Sequence, residues 1–217
     1  MKKIIYLLGL SMALLMSSCS QDEVFYSCDP EIDAWAKDNF EELQSVDTKT
    51  FRSYATEYRM AIYNVITPEK RVGIWKEKIN ETLKLDWSEA EAEHIRCLLD
   101  MIDENINWYE KGVPEEEREK YEIMAYRWVE YAKEVLGWKQ ELAAAIAASP
   151  LFLKNTNGEL IVSPNEKRVR IKSASELPKC TCNPVVSFCS PCRYDPCEEK
   201  TIGCGLLGIG TCNGLGC

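Results

Sequence analysis

The chain has 217 residues, 46% of them hydrophobic and 28% charged, with a formal net charge of −9. That length suits one medium domain with a small appendage, and the acidity works against phosphate-bearing partners, so no nucleic-acid partner is expected. Of the 11 cysteines, most crowd into the final 38 residues, so the two ends of the chain pose different questions.

The N-terminus has a basic start at Lys2 and Lys3, an uncharged apolar stretch from Ile4 to Met16 and small residues before Cys19. This reads as a secretory signal, too short to span a bilayer as a stable helix. Met16-Ser17-Ser18-Cys19 resembles a bacterial lipobox, in which the cysteine is diacylated and becomes the first residue of the mature chain. The resemblance implies lipidation at Cys19 and attachment to a bacterial membrane through that anchor. Asp22 and Glu23 follow closely, similar to the surface-export signals of some Gram-negative lipoproteins, so an outer-membrane or cell-surface location is expected. The expected organisation is a signal and lipobox over 1–19, a tether over 20–28, a helical bundle over 29–149, a hairpin or linker over 150–179 and a disulfide-rich tail over 180–217. Lys2 and Lys3 bring +2 to the first part and the tail carries −1, so residues 20–179 hold −10.

Helical signals run from residue 29 to 148. Asp29-Pro30-Glu31 predicts an N-cap with proline in the first turn, followed by Ile32, Trp35, Ala36, Phe40 and Leu43 at helical spacing. A stretch from about Lys49 to Ile66 places Tyr54, Tyr58, Ile62 and Val65 on one face. Thr67-Pro68-Glu69 opens a helix carrying Val72, Trp75, Ile79 and Leu83. Ser88 with Glu91 forms a capping box ahead of Ala92, Ile95, Leu98, Leu99, Ile102 and Ile106. Pro114 and three glutamates start another helix, with Tyr121, Met124, Ala125, Trp128, Ala132 and Val135 inward, until Gly137 stops it. WKQELAAAIAAS supplies a short last helix. Five or six helices in about 120 residues make a mainly α bundle with a core of its own. After Pro150, Asn157-Gly158 between two short β-prone runs is a hairpin signal, KRVRIK alternates like an edge strand, and Ser173 to Lys179 reads as a tether.

The residue patterns of catalysis are missing. His94 is the single histidine, cannot form a His-x-x-x-His pair, and reads as a surface or boundary residue. GCGLLG matches Gly-x-Gly-x-x-Gly at Gly203, Gly205 and Gly208, but too little chain follows for a dinucleotide-binding unit. The acidic runs EAEAE and EEERE fit helix first turns, and the Trp and Tyr residues fit a core. No enzyme, metal or cofactor is expected.

The tail holds Cys180, Cys182, Cys189, Cys192, Cys197, Cys204, Cys212 and Cys217 among few large apolar side chains. Such a segment cannot offset its chain entropy without staples, and four disulfides at roughly 2–4 kcal/mol each would supply them. Zinc would use Cys189-x-x-Cys192, but a second such knuckle is missing and export favours oxidation. Which cysteine pairs with which stays open. Cys97, inside an apolar helix, is expected as a buried free thiol; the alternative is a bridge to Cys28.

Cys180-x-Cys182, Phe188-Cys189, Tyr194, Gly203-Cys204-Gly205 and Cys212-Asn213-Gly214 together resemble the fulvocin C-related bacteriocins, small peptides with four disulfides. ITPEKRVGIWKEKI, residues 66–79, is similar to the leader-like region of bacterial proteins in that group. The resemblance implies an exported precursor or carrier with an antibacterial C-terminal peptide, acting on a target-cell receptor or lipid. The other expectation is a surface binding or structural lipoprotein whose stapled tip is never released.

Overall fold

The computed structural model describes residues 24–27, 29–162 and 201–212, with Thr201, Thr211 and Cys212 defined by their backbone alone. Cys19, the KRVRIK run and most of the cysteine segment lie outside those residues. The described chain is mainly helical, as its periodicity predicts. Its helices are α1 (Pro30–Asp38), α2 (Phe40–Ser45), α3 (Thr48–Ser53), α4 (Thr56–Val65), α5 (Pro68–Thr82), α6 (Glu89–Glu104), α7 (Glu115–Glu134) and α8 (Gln140–Ala147). None of the described helices is long and apolar enough to cross a membrane.

The starts of α1, α5 and α6 are set by the caps read from the sequence. The Asp29 carboxylate accepts from the backbone amides of Glu31 and Ile32, at 2.9 and 3.2 Å. Thr67 caps α5, and Ser88 and Glu91 form the reciprocal capping box, with Glu91 Oε2 accepting from the Ser88 amide at 3.0 Å. Each such cap satisfies amides that the first helical turn leaves orphaned, worth roughly 1 kcal/mol.

Two stretches expected as continuous helix are broken. Asn39 ends α1 with φ −107° and ψ 17°, its side-chain amide donating to the Trp35 carbonyl at 2.7 Å, and α2 starts at once in a new direction. The 49–66 stretch divides where Tyr54 and Ala55 take extended backbone. Arg59 is buried at that corner and donates to the Tyr54 carbonyl and to Thr56 Oγ1, so a side chain supplies what the helix ladder loses. Tyr58, expected inside, lies at the surface edge-on to Trp35. Ile106 leaves the α6 face to begin a 3-10 turn over Ile106–Tyr109, which exposes it while burying Trp108 and Tyr109.

The core gathers Phe51, Ile62, Trp75, Ile79, Ile95, Leu98, Ile102, Tyr109 and Ile146. Buried cations tie the loops to it. Arg52 donates to the carbonyls of Pro150 and Ile74 and to Glu77, and its guanidinium lies 3.9 Å from the Phe152 ring centroid. Lys78 is sealed inside α5 and donates to the Leu151 carbonyl; burial, and then the neighbouring Arg52 charge, push its pKa down to about 6. The expected 150–162 hairpin is reduced to a single antiparallel bridge between Leu153 and Leu160, closed by a turn with Gly158 at φ +85°.

His94 is buried, against the expectation of a surface or boundary residue. It stacks on Trp128 at 4.6 Å between ring centroids, with Tyr131 and Trp138 completing an aromatic box. Its Nε2 lies 3.0 Å from the Trp128 carbonyl, and Trp128 Nε1 donates to the His94 carbonyl. A carbonyl can only accept, so Nε2 carries the proton of the neutral ring. Burial lowers the imidazole pKa, outweighing the opposite pull of that carbonyl. Its folded pKa therefore lies below the unfolded value of about 6.5, and the unfolded chain gains the proton first as pH falls. Stability should be full above about pH 6.5 and decline below it, and His94→Gln should flatten that decline in denaturant titrations between about pH 6.5 and 5. An unchanged pH slope in the variant would refute this role.

Candidate functional site

Residues 201–212 form a small antiparallel hairpin that packs into the bundle. β1 (Thr201–Cys204) pairs with β2 (Gly210–Cys212), joined by a 3-10 turn over Leu206–Gly208. Ile202 faces Thr211 and Cys204 faces Gly210, so Gly203 is the extra residue of a bulge, with φ +120°. A bulge bends and twists a ribbon locally, and here it turns the tip toward the helices.

The tip carries the only adjacent leucines of the cysteine segment, and both are core residues: Leu206 is 1% exposed and Leu207 0%. They join the same hydrophobic cluster as Trp75, Tyr121 and Ile146. Leu207 has φ 56° and ψ 19°, the left-handed region that a branched side chain seldom adopts. That backbone cost, of order 1 kcal/mol, is offset by complete burial of its side chain at roughly 1.5–3 kcal/mol.

The helices meet the hairpin with directed polar groups. Asn64 on α4 makes a two-sided contact with Ile202: its amide nitrogen donates to the Ile202 carbonyl at 3.0 Å, and its oxygen accepts from the Ile202 amide at 3.0 Å. Asn64 thus pairs with the hairpin as a neighbouring strand would. Tyr121 on α7 donates its hydroxyl to the Leu206 carbonyl at 2.8 Å. Tyr63 accepts from Trp75 Nε1 at 3.0 Å, and the two form the wall against Gly208. A Cβ on Gly208 would stand 2.9 Å from each of those polar atoms, so the wall requires glycine there. On the remaining side lies α8, whose inward Ala143 and Ala147 leave the close approach open.

A buried guanidinium fixes this socket from behind. Arg71 donates from Nε to the Tyr63 carbonyl at 2.7 Å and from Nη1 to the Tyr109 carbonyl at 2.7 Å, tying the end of α4 to the 3-10 turn. It is a cation at a helix C-terminus, where the carbonyl ends favour positive charge. Tyr109 lies near enough to Tyr63 and Tyr121 for their charges to raise its pKa, after burial, the larger cause. Its buried hydroxyl has no hydrogen-bond partner among the described residues. Burial also holds the Tyr63 and Tyr121 hydroxyls far above their ordinary range, so both stay protonated, Tyr63 accepting from Trp75 and Tyr121 donating to Leu206. Such a site meets peptide backbone and apolar side chains.

Of the cysteines singled out from the sequence, Cys204 is disulfide-bonded and buried at the hairpin's end, and the backbone of Cys212 pairs with Thr201 on the opposite strand. Cys19, Cys28, Cys180, Cys182, Cys189, Cys192, Cys197 and Cys217 lie outside the described residues. Cys97 is a free thiol, half-buried rather than buried, its pKa raised by burial and by Asp100 and Glu93, which makes it a weak nucleophile. Residues 201–212, read from the sequence as part of the tail, pack against the bundle, with Leu206 and Leu207 in its core. The match of Gly203, Gly205 and Gly208 to a phosphate-binding fingerprint falls on strand and turn packed against tyrosines. Sequence reasoning missed Asn64, Tyr63 and Arg71 and read Tyr121 as a core residue only, although a buried polar group on an apolar helix face signals a fixed partner. Compared with models of protein families, with curated proteins and with solved structures, the chain matches none.

Proposed function

We propose that this protein is an exported, lipid-anchored carrier of a disulfide-stapled, bacteriocin-like tail, in which the helical bundle holds the tail by its tip. The observation that carries the proposal is the docked hairpin, with Cys204 disulfide-bonded and Leu206 and Leu207 inside the helical core. Lipidation at Cys19 would tether the carrier to a bacterial membrane, and Cys180, Cys182, Cys189, Cys192, Cys197, Cys204, Cys212 and Cys217 would staple the cargo. The antibacterial action itself is supported by the resemblance of the cysteine pattern, with a receptor or lipid of the target cell as the partner. No group gathered around the socket calls for a metal or cofactor in that role.

The same docked tip favours a second reading, a surface binding or structural lipoprotein whose stapled end never leaves. Extracting Leu206 and Leu207 would open a cavity in the core, which a permanently assembled protein avoids. Oxidised tail (180–217), the same tail reduced, and the intact protein, spotted on strains related to the producer, separate the two. The carrier reading expects growth inhibition by the oxidised tail alone, because the reduced chain cannot hold its surface. Inhibition by none of the three, with the intact protein capturing a partner through its tail, would establish the second reading instead.

A further inference from the structure

We infer that the bundle is a receptor for the Leu206–Leu207 tip, retaining the tail after the chain is cut between them, so that release requires opening of the tyrosine-lined socket as well as cleavage. Three features point to a recognition site. Asn64 reads both backbone groups of Ile202, and Tyr121 reads the Leu206 carbonyl; both are contacts to peptide backbone in a fixed register. Gly203 and Gly208 sit where a Cβ would meet the bundle: Met60 Cε at 2.9 Å and Tyr63 at 3.1 Å for the first, Trp75 and Tyr63 at 2.9 Å for the second. The socket therefore tests the shape of its occupant as well as its apolarity. Arg71 sets the backbones of Tyr63 and Tyr109 through main-chain carbonyls on the bundle side, a framework in place whether or not the tip is covalently continuous with the helices.

The occupant is thus a short antiparallel hairpin that carries the disulfide-bonded Cys204 and two adjacent leucines between glycines, supplied by this chain itself. Retention stands independently of the antibacterial reading; only its consequence, that a docked tail is silent, rests on that reading.

The test uses the full chain with a site-specific protease sequence inserted between Asn165 and Glu166, in a Cys19→Ser, Cys28→Ser, Cys97→Ser background, so that no disulfide can join the two pieces. After cleavage under native, oxidising conditions at micromolar concentration, the pieces should coelute in gel filtration and separate in denaturant. Leu207→Asp, which puts a carboxylate into the socket, should separate them natively, weakening retention by about 100-fold or more. Tyr121→Phe deletes one hydroxyl without altering packing and should weaken retention by about 5–20-fold, which keeps the inference testable should the aspartate variant fail to fold. Native separation of the unsubstituted pieces would overturn it, as would retention unaffected by both substitutions. Growth inhibition measured on the same fractions keeps the two ideas apart. A tail that is retained but stays inactive once it has been separated from the bundle in its oxidised form defeats only the antibacterial reading, and an active tail that leaves freely defeats only the receptor.

Discussion

Leu207→Ala should destabilise the whole protein by about 2–5 kcal/mol, although the residue lies in a cysteine-rich tail far from the helices in sequence. Its side chain is completely buried among bundle residues, so truncation removes apolar contact and leaves a hole that the surrounding aromatic rings can fill only in part. The backbone at φ 56° makes the site less forgiving, because alanine keeps the left-handed strain and loses the burial that offset it. The measurement is thermal or denaturant unfolding of the intact chain followed by tryptophan fluorescence, which reports on Trp75, Trp108, Trp128 and Trp138 in the helical core. A domain of this size loses roughly 2–4 °C of Tm per kcal/mol, so the shift is well within reach of the method. A change under about 0.5 kcal/mol would mean that the tip does not share the bundle's core.

Gly208→Ala should cost roughly 2–4 kcal/mol, through crowding instead of through a cavity. The added methyl would sit 2.9 Å from both Trp75 Nε1 and the Tyr63 hydroxyl, wedging apart a hydrogen bond that neither group can replace inside the core. The residue's φ of +62° adds the ordinary penalty of a Cβ in that region. Gly112→Ala is the matched comparison: its φ is +76°, but its Cβ would meet nothing within 4 Å, so it should show the backbone penalty alone, about 1 kcal/mol. Equal losses at the two positions would contradict a close-packed wall at Gly208.

Where α1, α5 and α6 begin was legible because caps act locally: Asp29, Thr67 and the Ser88–Glu91 pair satisfy amides two or three residues away, and their chemistry is written in that short span. The breaks at Asn39 and at Tyr54–Ala55 were not, since neither contains proline or glycine and the group stabilising the second is Arg59, a residue that reads as surface charge until its burial is known. His94 misled in the same way, because the rings that enclose it come from α7 and the Gly137 loop. The socket was hidden for the same reason on a larger scale. Asn64 and Ile202 stand 138 positions apart and Tyr121 and Leu206 85, so nothing near either partner announces the other. GCGLLG looked like a cut-short phosphate-binding fingerprint; Gly203 and Gly208 are needed chiefly because Met60, Tyr63 and Trp75 of the bundle press against them.

Those separations also govern how the protein acquires its structure. A growing chain presents α4, α5 and α7 well before residues 201–212 exist, and until the hairpin arrives Trp75, Tyr63 and Tyr121 line a face with nothing against it. The final contacts are of long range, and closing them is among the slower events of folding. Formation of the Cys204 disulfide and seating of the tip are then two late steps, and a docked hairpin holds the Cys204 backbone in place for the bond. Helix formation should run ahead of both, leaving a helical but incompletely packed intermediate that persists until the last residues of the hairpin are in place.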